Sequence, residues 1–77
     1  PYTVDTPYID LKRDSRAMEP MRQYLSRAER ENTMSFMFTN EAFEMLLNYS
    51  PLRSVMAMNG FGEKDTQELI EKLNALD

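Results

Sequence analysis

The stretch NGFGEKDTQEL, residues 59–69, is the part of this sequence closest to a known binding chemistry. It holds both glycines of the chain, Gly60 and Gly62, with Phe61 between them and Lys64 close behind. Backbone N–H groups at a helix start favour anions, so such a turn could bind a phosphate. The simpler interpretation is a corner between two helices, in which glycine supplies a positive φ angle. The sequence favours the corner and leaves the phosphate site as the alternative.

Side chains suited to catalysis are scarce elsewhere. The chain has no His and no Cys, which removes the commonest general base and any thiolate nucleophile. Paired carboxylates such as Glu41 with Glu44 and Glu68 with Glu71 occur at positions where helix starts or solvated faces favour acids. We therefore expect no enzymatic activity from this chain, no cofactor and no metal.

Charge is distributed unevenly along the chain. Residues 1–30 carry six Lys/Arg against five Asp/Glu, which gives +1, whereas residues 31–77 carry three against eight, which gives −5. An acidic half repels a polyanion, so nucleic acid is not the expected partner. There is no apolar run long enough to span a bilayer and no signal-peptide pattern. We expect a cytoplasmic location and no membrane partner.

The 77 residues are enough for one domain. The sequence begins at Pro1 without an initiator Met, and we expect a domain excised from a longer protein. Residues 1–13 predict an extended arm or linker, because two prolines favour extended neighbours. Residues 14–77 predict a single helical domain.

The first helix is predicted within DSRAMEPMRQYLSRAERE, where Asp14 or Ser15 can cap an opening turn. Pro20 suits the first position of a new helical segment. Residues 31–39 are ambiguous between helix, strand and loop, and we favour a short helix or an apolar loop. This segment supplies the candidate docking surface, which consists of Met34, Phe36, Met37 and Phe38.

Three further helices have clearer signals. One lies in TNEAFEMLLNYS. The next lies in SPLRSVMAMNG, with Ser50 as N-cap, Pro51 at the first helical position and Gly60 as a left-handed C-cap. The last lies in DTQELIEKLNALD, where Asp65 and Glu68 have the spacing of a capping box. The predicted fold is an all-α bundle of three to four short helices behind an extended arm. Its predicted core is Leu25, Phe43, Leu46, Leu47, Leu52, Val55, Leu69, Ile70 and Leu73.

Residues 55–70, VMAMNGFGEKDTQELI, resemble a helix-hairpin-helix motif. That motif binds nucleic-acid backbone without reading its sequence. The resemblance implies that Gly60, Phe61 and Gly62 form a phosphate-binding turn and that Lys64 is the supporting cation. Thr66 then occupies the small packing position.

A second resemblance covers more of the chain. Residues 41–76, EAFEMLLNYSPLRSVMAMNGFGEKDTQELIEKLNAL, are similar to the C-terminal helical tail of bacterial family 3 glycoside hydrolases, the β-glucosidase-like enzymes. The segment TVDTPYIDL, residues 3–11, looks like the extended entry to such tails. The resemblance implies that the catalytic carboxylates lie in other domains. It makes this chain a non-catalytic accessory or association module, with the parent's catalytic domains or a second protomer as its partner.

Overall fold

The computed structural model describes residues 1–31 and 41–76. Within these ranges every regular element is an α-helix, so the predicted all-α class is confirmed. The candidate docking residues Met34, Phe36, Met37 and Phe38 lie outside the described residues, as does the ambiguous segment beyond residue 31. The helices of the described ranges are α1 (Tyr8–Lys12), α2 (Ser15–Glu31), α3 (Glu41–Asn48), α4 (Leu52–Met58) and α5 (Glu63–Asn74).

Helix α1 lies where the sequence predicted an extended arm, and it brings the helix number in the described ranges to five. Pro7 stands at its N-cap in an extended conformation, which suits a residue without an N–H. Tyr8 and Leu11 share one face of the helix and are buried in the same core as the later helices. Residues 8–12 are therefore part of the bundle rather than a linker.

Helix α2 starts as predicted but does not restart at its proline. The Asp14 carboxylate accepts a hydrogen bond of 3.0 Å from the N–H of Arg16, which is N-cap geometry. Hydrogen bonds from backbone N–H groups, above all that of Arg16, lower the pKa of the Asp14 carboxyl. Pro20 lies inside a continuous helix and is buried, so the predicted new start there is wrong. The helix continues through Pro20 because one of its faces is buried both before and after the proline, at Ala17, Met21, Tyr24 and Ala28.

The junction of α3 and α4 is shifted by one residue from the prediction. Pro51 is the N-cap residue of α4, and its carbonyl accepts the N–H of Val55. Ser50 does not cap α4, because its hydroxyl donates to the Leu46 carbonyl at the end of α3. The N–H groups that begin α4 bond instead to the N-terminal segment: Leu52 N–H to Thr6 O and Arg53 N–H to Val4 O, both at 2.9 Å.

All five helices of the described ranges contribute side chains to the core, α3 through Leu47. Of the predicted core, six side chains are buried: Leu47, Leu52, Val55, Leu69, Ile70 and Leu73. Leu25 is partly buried against that cluster. Leu46 was predicted to be buried but is 65% exposed, because α3 turns the neighbouring Leu47 inward instead. The side chain of Phe43 lies outside what the structure describes.

Candidate functional site

The corner between α4 and α5 brings together the predicted turn residues. Gly60 has φ 87, the left-handed conformation predicted for it. Phe61 N–H donates to Met56 O and Gly60 N–H to Ala57 O, each at 3.0 Å, which are the two bonds of a Schellman motif. The Asn59 amide adds a bond of 2.8 Å to Val55 O and is itself buried. The carbonyls of Val55, Met56 and Ala57 near the end of α4 thereby receive donors within the turn.

Phe61 anchors this corner to α2. It is 8% exposed and meets the Tyr24 ring edge to face, with ring centroids 5.3 Å apart. The Arg27 guanidinium lies 4.6 Å from the Phe61 ring centre and 5.2 Å from that of Tyr24. Edge-to-face aromatic and cation–π contacts of this kind are each worth roughly 0.5–1.5 kcal/mol. The turn is consequently held in place by its own apolar residue.

The start of α5 has mixed electrostatics. Gly62 is the N-cap residue in an extended conformation, and its carbonyl accepts from both the N–H and the hydroxyl of Thr66. Asp65 therefore lies inside the first turn, and the predicted capping box does not form. Lys64 and Glu63 are both exposed, so a cation and an anion stand side by side at the helix start. The Asp65 carboxylate is 3.4 Å from Arg27 and is partly neutralised by it.

Glu68, the other residue of the predicted capping box, contacts α2 instead. It accepts a hydrogen bond from the Tyr24 hydroxyl, and Lys72 lies 3.4 Å from its carboxylate. These two donors lower the pKa of Glu68. Burial and then the Glu68 contact raise the pKa of Tyr24 well above its ordinary value of 10.0. The pair links α2 to α5, and both residues line a small pocket of about 70 Å³ between these helices.

A pocket of about 410 Å³ opens beside the turn. Its volume is within the range of small-molecule sites. The N-terminal segment, α4 and α5 each contribute to the lining, which comprises Val4, Arg53, Ala57, Phe61, Gly62, Glu63, Thr66 and Gln67. Sequence reasoning missed this pocket because its walls come from segments far apart in the chain.

The second candidate site is an apolar face on α3. Met45 is 65% exposed and Tyr49, just past the helix end, is 75% exposed; with Leu46 they form one surface, called here the α3 face. Spacings of three and four residues place Tyr49 beside both of the others on a helical path. Lys12 of α1 holds α3 in place, since it forms an ion pair with Glu44 and donates a hydrogen bond to the side-chain oxygen of Asn48. The signal in the sequence was the apolar run MLLNY, of which Leu46 and Leu47 were predicted to be core.

Comparison with known proteins gives no relative for this arrangement: no family model, curated protein or solved structure matches the chain. In the described residues, no helix combines the length and the apolarity that crossing a bilayer requires.

Proposed function

We propose that this chain is a non-catalytic association module of a larger bacterial protein, and that the α3 face is the surface with which it binds. The observation that carries the proposal is the exposure of Met45, Leu46 and Tyr49 together on one side of a short helix. Scattered apolar residues are normal on a protein surface, but a contiguous group marks an interaction site.

The energetics favour a protein partner for this face. Full burial of a Leu or Met side chain contributes roughly 1.5–3 kcal/mol. Tyr adds a large ring with a polar tip, a combination enriched at interfaces. Three such side chains supply the apolar centre of an interface.

The proposed parent is a glycoside hydrolase of family 3, on the resemblance of residues 41–76. The apolar positions of that resemblance, among them Leu52, Val55 and Leu69, fill the interior of the α4–α5 hairpin. The hairpin thus acts as a scaffold, while α3 projects its apolar face outward. The partner surface belongs to the catalytic domains of the parent or to a second protomer.

Sedimentation velocity tests the face on the chain itself and on its mixture with the parent's catalytic domains. Leu46→Asp should abolish whichever association is seen, because it places a charge at the centre of the interface. Ser26→Asp, an exposed residue of α2, makes the same charge change away from the face and should leave association intact. Equal behaviour of the two variants, or no association with either partner, would refute the proposal.

A second candidate function is backbone binding to nucleic acid by the α4–α5 corner. It is favoured by the positive φ of Gly60 and by Gly62, beside which an added Cβ would meet no atom within 4 Å. A ligand could therefore approach the backbone closely at Gly62. This candidate ranks second because Glu63 lies beside Gly62 and the half of the chain around the turn is acidic.

A further inference from the structure

Residues 1–7, called here the strap, complete the start of α4. The first N–H groups of a helix lack partners within it. In α4 two of them are satisfied by strap carbonyls, since Leu52 N–H bonds to Thr6 O and Arg53 N–H to Val4 O. Beyond these, the Arg53 Nε donates to the Asp5 carboxylate at 3.0 Å.

The far end of the strap is tied to the end of α5. Tyr2 N–H donates to the Asn74 side-chain oxygen at 2.7 Å, and the Asn74 amide donates back to Tyr2 O at 2.9 Å. This reciprocal pair joins residues 72 positions apart in the chain. One asparagine therefore holds the N-terminal end in place.

Burial changes sharply where the strap ends. None of residues 1–7 is buried, whereas Tyr8, the next residue, is 5% exposed and Leu11 is fully buried. The strap is held mainly by hydrogen bonds and partial burial of Tyr2 and Val4. Segments with few buried apolar contacts open at lower free energy than the core.

The strap also forms one wall of the pocket beside the α4–α5 corner. Val4 lines it together with Phe61 and Thr66, and Arg53 belongs to both the pocket and the strap contact. Detachment of the strap removes the Val4 wall, frees the Arg53 side chain from Asp5 and uncovers two N–H groups of α4.

We propose that the strap detaches as a unit while α2, α4 and α5 stay folded, and that its detachment opens the pocket. The opened pocket presents an apolar floor, the Arg53 guanidinium and two free backbone donors, and the Glu63 carboxylate also belongs to its lining. An extended peptide with an acidic residue, which is the chemistry of the strap itself, fits that set. This inference does not depend on the α3 face.

Amide hydrogen exchange on the full chain tests whether the strap detaches while the core stays folded. The N–H groups of Leu52 and Arg53 report on the strap, and those of Leu69 and Leu73 report on the core. In the unmodified chain the first pair should exchange faster than the second. Asn74→Ala should raise exchange of the first pair by about fivefold or more, as expected for lost hydrogen bonds, and leave the second pair unchanged.

Glu71→Ala is the matched control, because Glu71 is an exposed residue of the same helix. It should leave the exchange of all four amides unchanged. Equal exchange of both pairs in the unmodified chain, or a parallel rise of both in Asn74→Ala, would show that the strap opens only with global unfolding and would overturn the proposal.

A single introduced thiol tests whether this detachment opens the pocket, since the chain has no native Cys. Thr66 is 4% exposed in the pocket lining, and Thr66→Cys is close in size. Its labelling by a soluble disulfide reagent should accelerate about fivefold when Asn74→Ala is added, in step with the exchange of Leu52. An unchanged labelling rate would refute the opening of the pocket by the strap.

Discussion

Substitution of Gly60 tests whether the α4–α5 corner is a structural turn. At φ 87 a Cβ atom is strained, which costs roughly 1–2 kcal/mol. Alanine also restricts the unfolded chain, which offsets about 0.4–1 kcal/mol of that cost. The free energy of unfolding of Gly60→Ala should therefore fall by about 1 kcal/mol. In a domain of this size the melting temperature should fall by roughly 4–8 °C.

Gly62→Ala is the matched control, two residues away in the same turn. Its φ of −91 is allowed for any residue, and an added Cβ would meet no atom within 4 Å. The restriction of the unfolded chain then acts alone, and stability should be unchanged or rise by about 0.4–1 kcal/mol. Gly60→Asn should lose less than Gly60→Ala, because Asn tolerates the left-handed conformation.

Urea unfolding followed by circular dichroism measures all three variants against the unmodified chain. Because each change is confined to one exposed turn position, the slope of the unfolding free energy against urea concentration should be the same in all variants. The differences in stability should then appear as shifts of the unfolding midpoint. Equal stabilities of Gly60→Ala and Gly62→Ala would refute the turn geometry and the assignment of Gly60 as the left-handed cap.

Three further predictions concern binding, pH and activity. Duplex DNA should not bind measurably near physiological salt, because Glu63 opposes Lys64 at the start of α5, and micromolar binding that weakens in Lys64→Glu would instead favour the phosphate-binding turn. Because the pKa of Tyr24 is raised above 10.0 in the folded state, its contribution to stability is fully present below pH 10 and is lost as the pH rises through the folded-state pKa. In alkaline unfolding titrations, Tyr24→Phe should therefore lose less stability than the unmodified chain. Identical titrations would contradict the assignment. The purified chain should not release chromophore from an aryl β-glucoside, and turnover by it would contradict the non-catalytic proposal.

The parts of the fold predicted from sequence are those with local causes. The glycine pattern predicted the turn at Gly60, because only a left-handed cap requires that residue type at that point. The stripe Leu69, Ile70 and Leu73 predicted the buried face of α5, since its spacing is that of a helix. These features depend on neighbours along the chain.

The parts that sequence could not predict depend on distant contacts. Asp65 had a good capping pattern, but Arg27 of α2 pairs with it and the N-cap lies three residues earlier, at Gly62, so that α5 begins at Glu63. Leu46 and Leu47 are chemically equal, and only the docking of α3 decides which of them is buried. The strap was predicted as part of an extended arm or linker, and its contact with Asn74 could not be predicted because that residue lies at the other end of the chain.

Solvent protection of the α3 face is the most direct test of the proposed association. A thiol introduced by Met45→Cys should react rapidly with a soluble reagent in the dilute chain, because Met45 is 65% exposed. It should react much more slowly either in the concentrated chain or in the presence of the parent's catalytic domains, as the face becomes buried against its partner. A thiol that reacts equally fast in all three conditions would contradict the assignment of this chain as an association module that binds through α3.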